Sequence, residues 1–308
     1  MKKIFPNGMW PVMLTPLEDN GKVDYLALEE LINWYIEEGA SGLFAVCQSS
    51  EMFYLSIDER KELTHFIKKI SNGRVPVISS GHVSYSLRDQ IHELNMIAEA
   101  GADAVILLSN RLATANESDE ILIERLKQIM NELPENIPLG FYECPYPYKR
   151  VLSTQIVEFC VESGRFYFLK DTCCNIEEIK KKLEIMKGSN MKLYNANTST
   201  LLESMKYGAA GYSGVMANFH PALYAWLLEN WEKEPEKATY LQDVLTPCSF
   251  IELKNYPLSA KKYLAEEIGL SVKARTRKNI ADYISETELS ELRQIKELSD
   301  RAMEFISR

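Results

Sequence analysis

The chain has 308 residues, of which 46% are hydrophobic and 26% are charged, a balance typical of a globular protein with a sizeable core. Its formal net charge of -9 argues against a nucleic-acid binder, which presents a basic surface. No apolar run reaches the roughly 18 residues of a membrane span, and the amino-terminal stretch lacks the apolar core of a signal peptide. The six cysteines follow no zinc-ligand spacing, so we expect no metal and a reducing, cytoplasmic location.

Short apolar runs alternate with amphipathic helical segments as far as residue 231. The predicted strands are Met9–Thr15, Gly42–Val46, Val75–Ser79, Ala104–Leu108, Pro138–Tyr142, Phe166–Lys170, Met191–Asn195 and Ala210–Val215. The predicted helices are Tyr25–Glu38, Ile57–Ile70, Leu87–Ala100, Ser118–Leu133, Thr154–Ser163, Ile176–Lys187, Ser199–Tyr207 and Pro221–Asn230. Eight strand–helix units predict an α/β fold of the (β/α)8 TIM-barrel type. An open doubly wound sheet is less favoured, because no glycine-rich nucleotide motif follows the first strand.

The pattern changes in the last part of the chain, which has helical periodicity only. The predicted helices there are Ala238–Phe250, Leu258–Glu267 and Glu286–Ile306. We therefore predict a catalytic barrel over residues 1–231 and a C-terminal three-helix extension over residues 232–308.

Two residues that end neighbouring strands are the strongest catalytic candidates, because TIM-barrel active sites lie at the carboxyl ends of the strands. Lys170 ends one apolar strand, where desolvation would lower its pKa and supply a neutral amine able to attack a ketone. Tyr142 ends the preceding strand and could transfer protons to or from a Lys170 adduct. A lysine paired with Asp171, or simply solvated, fits the strand-end position equally well.

The same rule selects candidate substrate-binding residues after the other strands. They are Gln48, Ser49, Ser50, Arg111, Ala196 and Ser213. For the two serines, ordinary turn chemistry is the alternative explanation. Arg111 could hold an acid group of a second substrate portion, although a surface or intersubunit position is the simpler interpretation.

Several segments together resemble the dihydrodipicolinate synthase / N-acetylneuraminate lyase family over essentially the whole chain. These are GMWPVMLTP near the start, CQSSE at residues 47–51, GADAVILL at 101–108, FYECP at 141–145, FLKDT at 168–172 and GAAGYSGVMANFHP at 208–221. The resemblance implies that pyruvate or another 2-keto acid forms an imine with Lys170 while Tyr142 moves protons. It also implies that residues 47–51 hold the carboxylate, that no cofactor is needed beyond the covalent imine, and that the chain assembles as a homodimer or homotetramer.

The sequence departs from this family at positions that set specificity. Both glycines of the carboxylate loop are replaced, the relay tyrosine after the fourth strand is missing, and Pro147 stands where the synthase has an arginine. The acidic pair of the sialic-acid lyases is replaced by Thr198-Ser199. The leading prediction is therefore a Schiff-base lyase or aldolase that cleaves or forms a carbon–carbon or carbon–oxygen bond. Its predicted substrate is pyruvate or another 2-keto acid, for example a sugar-derived one. The alternatives are a divergent dihydrodipicolinate synthase and a catalytically inactive ligand-binding barrel.

Overall fold

The computed structural model describes residues 5–278 and 283–308. Within these ranges, eight strands form one parallel sheet. They are β1 (Gly8–Met9), β2 (Leu43–Phe44), β3 (Val77–Ser80), β4 (Ala104–Leu108), β5 (Leu139–Tyr142), β6 (Phe166–Asp171), β7 (Lys192–Asn195) and β8 (Gly211–Tyr212). The described sheet has the order β1-β8-β7-β6-β5-β4-β3-β2, and every pair in it is parallel.

The chain just after β1 closes the ring of strands. Val12 forms an isolated parallel bridge with Phe44 of β2, and the Met13 amide donates to the Phe44 carbonyl at 3.1 Å. The two ends of the sheet order are thus joined, and the predicted (β/α)8 TIM barrel is confirmed.

Helices follow the strands in alternation. The described helices of the barrel are α1 (Tyr25–Glu37), α2 (Ile57–Ser71), α3 (Leu87–Glu99), α4 (Ser109–Leu112), α5 (Asp119–Glu132), α6 (Thr154–Ser163), α7 (Ile176–Met186), α8 (Leu201–Lys206) and α9 (Pro221–Asn230). Most of them begin as the sequence predicts. The Ser56 side chain, for example, forms a capping box with Glu59 at the start of α2. The short helix α4, directly after β4, is an addition that periodicity did not predict.

Proline explains where some strands are shorter than predicted. The predicted strand Met9–Thr15 is reduced to β1, because Pro11 lacks the N–H that the sheet would use. The predicted strand Val75–Ser79 begins only at Val77, directly after Pro76. The predicted helix Ser199–Tyr207 is also divided into a 3-10 turn, Thr198–Thr200, and α8. The strand-to-helix order is unaffected by these changes.

The C-terminal segment consists of helices that return to the barrel mouth. They are α10 (Pro235–Cys248), a 3-10 turn (Ser249–Leu253), α11 (Leu258–Tyr263) with a π-helical continuation (Leu264–Ile268), and α12 (Glu286–Ile306). A buried ion pair joins α11 to the loop after β2, with Lys261 Nζ 2.6 Å from Glu51 Oε1. The domain boundary at residue 231 remains a prediction. Residues 1–4 of the predicted barrel and residues 279–282 of the predicted extension lie outside the described residues.

A layer of aromatic side chains fills the interior of the barrel. Trp10, Phe44, Phe168 and Tyr194 are each 0% exposed, and the rings of Phe168 and Tyr194 stack with their centres 4.2 Å apart. Such packing makes the barrel a solid core and leaves space for a ligand only at its ends. Within the described ranges, no helix combines the length and the apolar composition needed to cross a bilayer.

Candidate active site

Tyr142 and Lys170 are direct neighbours across the sheet. The register of β5 and β6 pairs Tyr142 with Lys170, and both side chains line a cavity of about 430 Å³ at the carboxyl ends of the strands. The Lys170 Nζ lies 4.3 Å from the centre of the Tyr142 ring and 5.9 Å from the centre of the Phe44 ring. The structure therefore brings the two predicted catalytic side chains together in one cavity.

The Lys170 amine is buried against aromatic rings. The residue is only 4% exposed, and the described residues offer Nζ no hydrogen-bond acceptor or carboxylate partner. Burial lowers the pKa of Lys170 below its usual value, while the nearby thiols of Cys47 and Cys144 and the carboxylate of Glu252 act in the opposite direction. A larger fraction of the amine is therefore neutral than in an exposed lysine, and the neutral form is the nucleophile.

Asp171 does not neutralise Lys170. Its Oδ2 lies 2.6 Å from the Nζ of Lys182 on α7, and that same ammonium lies 2.5 Å from Glu143 Oε1. All three side chains are at most 1% exposed. The Lys182 ammonium provides the countercharge for both buried carboxylates. Because Asp171 already has this partner, the interpretation of Lys170 as a structural partner of Asp171 is not supported.

Glu143 also fixes the loops that follow β5 and β6. Its carboxylate accepts hydrogen bonds from the Leu152 amide at 2.9 Å and from the Thr172 amide at 2.8 Å. Burial and the neighbouring Asp171 raise the pKa of Glu143 to about 6, against the opposing effect of Lys182. Because Glu143 and Asp171 directly follow Tyr142 and Lys170, this cluster holds the two candidate catalytic residues in place.

The Tyr142 hydroxyl points toward the loop after β2. It lies 3.5 Å from Gln48 Oε1, at the long limit of a hydrogen bond, and Cys144 Sγ is 3.4 Å from the same oxygen. Burial, with a smaller contribution from Cys144, raises the pKa of Tyr142 well above its usual value. The phenol is therefore protonated at neutral pH and can donate a proton or a hydrogen bond.

The loop at residues 47–51 keeps a compact turn without the glycines of the resembling family. The Ser50 hydroxyl accepts a hydrogen bond from the Cys47 amide at 2.7 Å and also lies within 3.1 Å of the Ala45 and Cys47 carbonyls. Of the loop residues, all of which are described, only Glu51 has a positive φ, at 62°. Side chains are therefore compatible with the backbone at the two positions where the glycines are replaced.

The predicted substrate-binding residues fall into two groups. Gln48, Ser49 and Ala196 line the cavity. Among the described residues, three others are absent from the cavity wall: Ser50, Arg111 and Ser213. The Ser50 hydroxyl serves the loop itself, and the buried Ser213 Oγ has no partner among the described residues.

Arg111 lies on α4 beside two aromatic rings. Its guanidinium is 5.2 Å from the centre of the Phe53 ring and 4.9 Å from the centre of the Tyr85 ring. Stacking of this kind fixes the direction of an arginine side chain. The proposed contact of Arg111 with an acid group of the substrate stays a prediction.

Three cavity residues come from the C-terminal segment, and strand-end reasoning missed them. Glu252, Tyr256 and Lys278 all line the cavity. Tyr256 accepts a hydrogen bond from Asn218 Nδ2 at 3.0 Å. Burial raises the pKa of Tyr256, partly opposed by a hydrogen bond with Ser49. No motif in the sequence marks these residues, because the rule for TIM barrels concerns only the loops after strands.

The side-chain ammonium groups of two lysines at the cavity hydrogen-bond only to carbonyl groups among the described residues. Lys149 Nζ donates to the Thr172 carbonyl at 2.7 Å, and Lys278 Nζ donates to the Tyr256 carbonyl at 3.0 Å. Neither ammonium has a carboxylate partner within the described ranges. Together with Lys170, they favour an anionic ligand in a protein whose net charge is -9.

The vicinal cysteines after β6 are free thiols, and Cys174 lines the cavity. Burial raises the pKa of Cys173 to about 12 and also raises that of Cys174. Neither thiol is therefore activated as a nucleophile. In the described parts of the chain, no three or more His, Cys, Asp or Glu side chains are grouped as metal ligands.

Comparisons with known proteins agree with this geometry. A model of the Dihydrodipicolinate synthetase family matches residues 6–298. Among curated proteins, the chain is 29% identical over 266 residues to a 4-hydroxy-tetrahydrodipicolinate synthase of Psychrobacter sp., covering 85% of each chain. It is 27% identical over 266 residues to the enzyme of the same name from Bradyrhizobium diazoefficiens, covering 85% of this chain and 86% of the relative.

Solved structures show the same fold. A monomeric dihydrodipicolinate synthase variant superposes with a TM-score of 0.88 at 18% identity, covering 97% of this chain and 99% of the other. The dihydrodipicolinate synthase of Acinetobacter baumannii, solved in complex with pyruvate, gives a TM-score of 0.84 at 24% identity, with 97% and 99% coverage. The predicted enzyme class, aldolase or lyase, is confirmed by the family match. With its barrel, its paired strand-end residues and a match over nearly its whole length, this chain belongs to the dihydrodipicolinate synthetase family.

Proposed function

We propose that the chain forms a covalent imine between Lys170 and the keto group of pyruvate or another 2-keto acid, and thereby makes or breaks a carbon–carbon or carbon–oxygen bond. The observation that carries the proposal is the Lys170 amine itself, which is buried, lacks a carboxylate partner among the described residues and opens on a cavity. A protonated imine withdraws electrons from the neighbouring carbon, so the proposal needs no metal or organic cofactor.

The loop after β2 is suited to hold the substrate carboxylate. Within the described ranges, the amide groups of Ser49 and Ser50 donate to no backbone acceptor, and Gln48 places its side-chain amide in the cavity wall. Ser50 would then contribute its amide, because its hydroxyl is already engaged within the loop. Preorganised N–H groups of this kind bind a carboxylate without further rearrangement.

Tyr142 is the group that would transfer protons during imine formation. Its protonated phenol and the Lys170 amine share one side of the cavity. The first adduct of an amine and a ketone is a carbinolamine, whose hydroxyl leaves as water after it receives a proton. Tyr142 can supply that proton and recover one when the imine is hydrolysed.

Lys149 and Lys278 would draw a second acid group or the whole anion into the cavity. Each ammonium uses one hydrogen bond on a carbonyl and has further donors available. The synthase reaction suggested by the names of the relatives would require a group of this kind for its second substrate. Pyruvate supplied with aspartate semialdehyde is therefore one assay condition, beside a panel of hydroxylated 2-keto acids.

We further propose that the enzyme works as a homo-oligomer in the cytoplasm. The support for assembly is one exposed aromatic side chain beside α4, because Tyr85 is 88% exposed and its ring lies against the Arg111 guanidinium. Light scattering of the purified chain measures its oligomeric state, and a single monomer mass over the micromolar range would contradict this part of the proposal.

Exchange of the pyruvate methyl protons tests the proposed imine. In D2O, an imine on Lys170 converts reversibly to an enamine, and the methyl signal of pyruvate disappears from the proton NMR spectrum. We expect exchange with the wild type and none with Lys170→Ala. Lys181→Ala is the matched control, because Lys181 lies on the exposed face of α7, paired with Glu178. Absence of exchange in the wild type would favour a binding barrel.

A further inference from the structure

Glu252 places a carboxylate in the cavity wall without a hydrogen-bond or ion-pair partner among the described residues. The residue lies in the 3-10 turn Ser249–Leu253, which follows α10. The wall contains one other carboxylate among the described residues, that of Glu51, and its two oxygens are bonded to Lys261 and to the Arg277 amide at 2.6 Å each. By contrast, no hydrogen bond or ion pair joins the Glu252 carboxylate to the described parts of the chain.

The two residues that follow Glu252 give its carboxylate no partner. Lys254 forms an exposed ion pair with Glu291 of α12 at 2.5 Å, and Leu253 is 77% exposed. Glu252 itself is half-buried. A half-buried carboxylate that lines a cavity and has no partner among the described residues is available to a ligand in that cavity.

Glu252 and Lys170 line one cavity, and their charges act on each other's pKa. Partial burial raises the pKa of Glu252, and the charge of Lys170 opposes that effect. The carboxylate in turn acts on Cys174 after β6, on Tyr212 of β8 and on Tyr224. The main charge effects on Tyr142 come instead from Cys144 and Cys47. Glu252, Tyr142 and Lys170 all line the same cavity.

We propose that Glu252 is the acid–base group that acts on the C4 hydroxyl of a 4-hydroxy-2-keto acid bound as an imine on Lys170. This inference rests on the proposed function and adds a catalytic residue to it. The imine fixes C2 at the Lys170 Nζ, and the loop after β2 holds C1. The C4 oxygen then extends away from that loop, and Glu252 is the wall carboxylate available to receive its proton.

The proposed cleavage step transfers one proton to Glu252 and breaks one carbon–carbon bond. Glu252 takes the proton of the C4 hydroxyl, the C4–O electrons form a carbonyl, and the C3–C4 bond breaks. The electron pair of that bond moves onto C3, giving the enamine of pyruvate on Lys170 and a free aldehyde. The enamine regains a proton at C3, and water hydrolyses the imine to release pyruvate and the Lys170 amine. The reverse sequence is aldol addition, with Glu252 returning the proton to oxygen.

The test compares imine formation with cleavage in Glu252→Gln. Imine formation is measured by borohydride trapping of pyruvate and intact mass. Cleavage is measured as pyruvate release from 4-hydroxy-2-oxobutyrate, 4-hydroxy-2-oxoglutarate and a six-carbon 2-keto-3-deoxy aldonic acid. Glu232→Gln is the control, because Glu232 is exposed and absent from the cavity wall. We expect Glu252→Gln to trap pyruvate as the wild type does and to lose about 10²- to 10⁴-fold in the kcat of cleavage.

The other outcomes overturn the inference in distinguishable ways. Cleavage by Glu252→Gln within about threefold of the wild type would show that Glu252 transfers no proton, since removal of a general base costs at least about 10²-fold. Loss of both pyruvate trapping and cleavage in Glu252→Gln would assign Glu252 to imine formation or to folding. A wild type that traps pyruvate but cleaves none of the three acids would exclude the proposed substrate class. The proposed imine on Lys170 would not be affected by that result. A wild type that traps nothing would instead refute the proposed function on which the inference rests.

Discussion

The Lys182 ammonium lies 2.6 Å from the Asp171 carboxylate, and this contact leaves Lys170, the preceding residue, without that partner. The two lysines of this region therefore have different roles. Lys182 neutralises the buried carboxylates of Asp171 and Glu143, while the amine of Lys170 faces the cavity. A strand that ends in Lys-Asp can thus present a nucleophile without a charge partner beside it.

Removal of Lys182 should destabilise the barrel strongly. We expect Lys182→Met to lower the free energy of unfolding by about 3 to 5 kcal/mol, because two buried carboxylates would lose their common cation. The measurement is urea unfolding followed by circular dichroism. Lys181→Met, which removes only an exposed pair with Glu178, should cost less than about 1 kcal/mol. Equal effects of the two substitutions would contradict the structural role assigned to Lys182.

Removal of the Tyr142 hydroxyl should slow proton transfer and leave the imine accessible. Tyr142→Phe keeps the ring beside Lys170 and is expected to reduce the rate of pyruvate methyl exchange by about 10²- to 10³-fold. The extent of borohydride trapping after long incubation should remain near that of the wild type. Tyr240→Phe is a suitable control, because Tyr240 packs on Phe305 and lines no part of the described cavity. Unchanged exchange in Tyr142→Phe would remove the tyrosine from the mechanism.

The cavity lysines should affect binding of the anion more than its conversion. We expect Lys149→Met and Lys278→Met each to raise KM for a 2-keto acid by about two- to fivefold with little change in kcat, since a partly exposed charge contributes up to about 1 kcal/mol. The increase should shrink at high salt, where exposed charges are screened. Lys233→Met, on the surface and near Glu229, is the control. A fall in kcat at unchanged KM would contradict this assignment.

The buried His82 should make the fold sensitive to mild acid. Its ring accepts a hydrogen bond from the Leu108 amide and lies 3.0 Å from Gln90 Oε1, and burial lowers the pKa of His82 from 6.5 to about 4. Between these two pH values the unfolded chain binds a proton that the folded chain excludes, so stability falls as the pH falls.

For His82 alone, this linkage corresponds to a loss of about 2 kcal/mol between pH 7 and pH 5. Urea unfolding at the two pH values measures it. In His82→Gln that part of the pH dependence should disappear, whereas His65→Gln, at an exposed position of α2, should retain it. An identical pH dependence in all three proteins would show that His82 is protonated in the folded state.

The sequence was most informative where the chain follows a repeating pattern. Strand–helix alternation predicted the barrel, and the rule for strand ends predicted that Tyr142 and Lys170 would meet, as the register of β5 and β6 confirms. Proline shortened β1 and β3 locally, because Pro11 and Pro76 cannot donate to the sheet.

The part of the site that could not be predicted comes from long-range packing. Glu252, Tyr256 and Lys278 reach the cavity because the C-terminal helices return to the barrel mouth, and helical periodicity does not specify where a helix docks. Ser50 was predicted to contact the ligand because of its position in the loop. Its hydroxyl instead accepts a hydrogen bond from the loop itself. Periodicity therefore predicts the scaffold, and side-chain partners decide which residues remain available to a ligand.

Borohydride trapping with peptide mapping determines whether Lys170 forms the imine with pyruvate. The protein is incubated with pyruvate and sodium borohydride, and proteolytic peptides are then sequenced by mass spectrometry. We expect one reduced pyruvyl group on Lys170, present in Lys181→Ala and absent in Lys170→Ala. Trapping on another lysine, or no adduct with pyruvate and with longer 2-keto acids, would contradict this expectation.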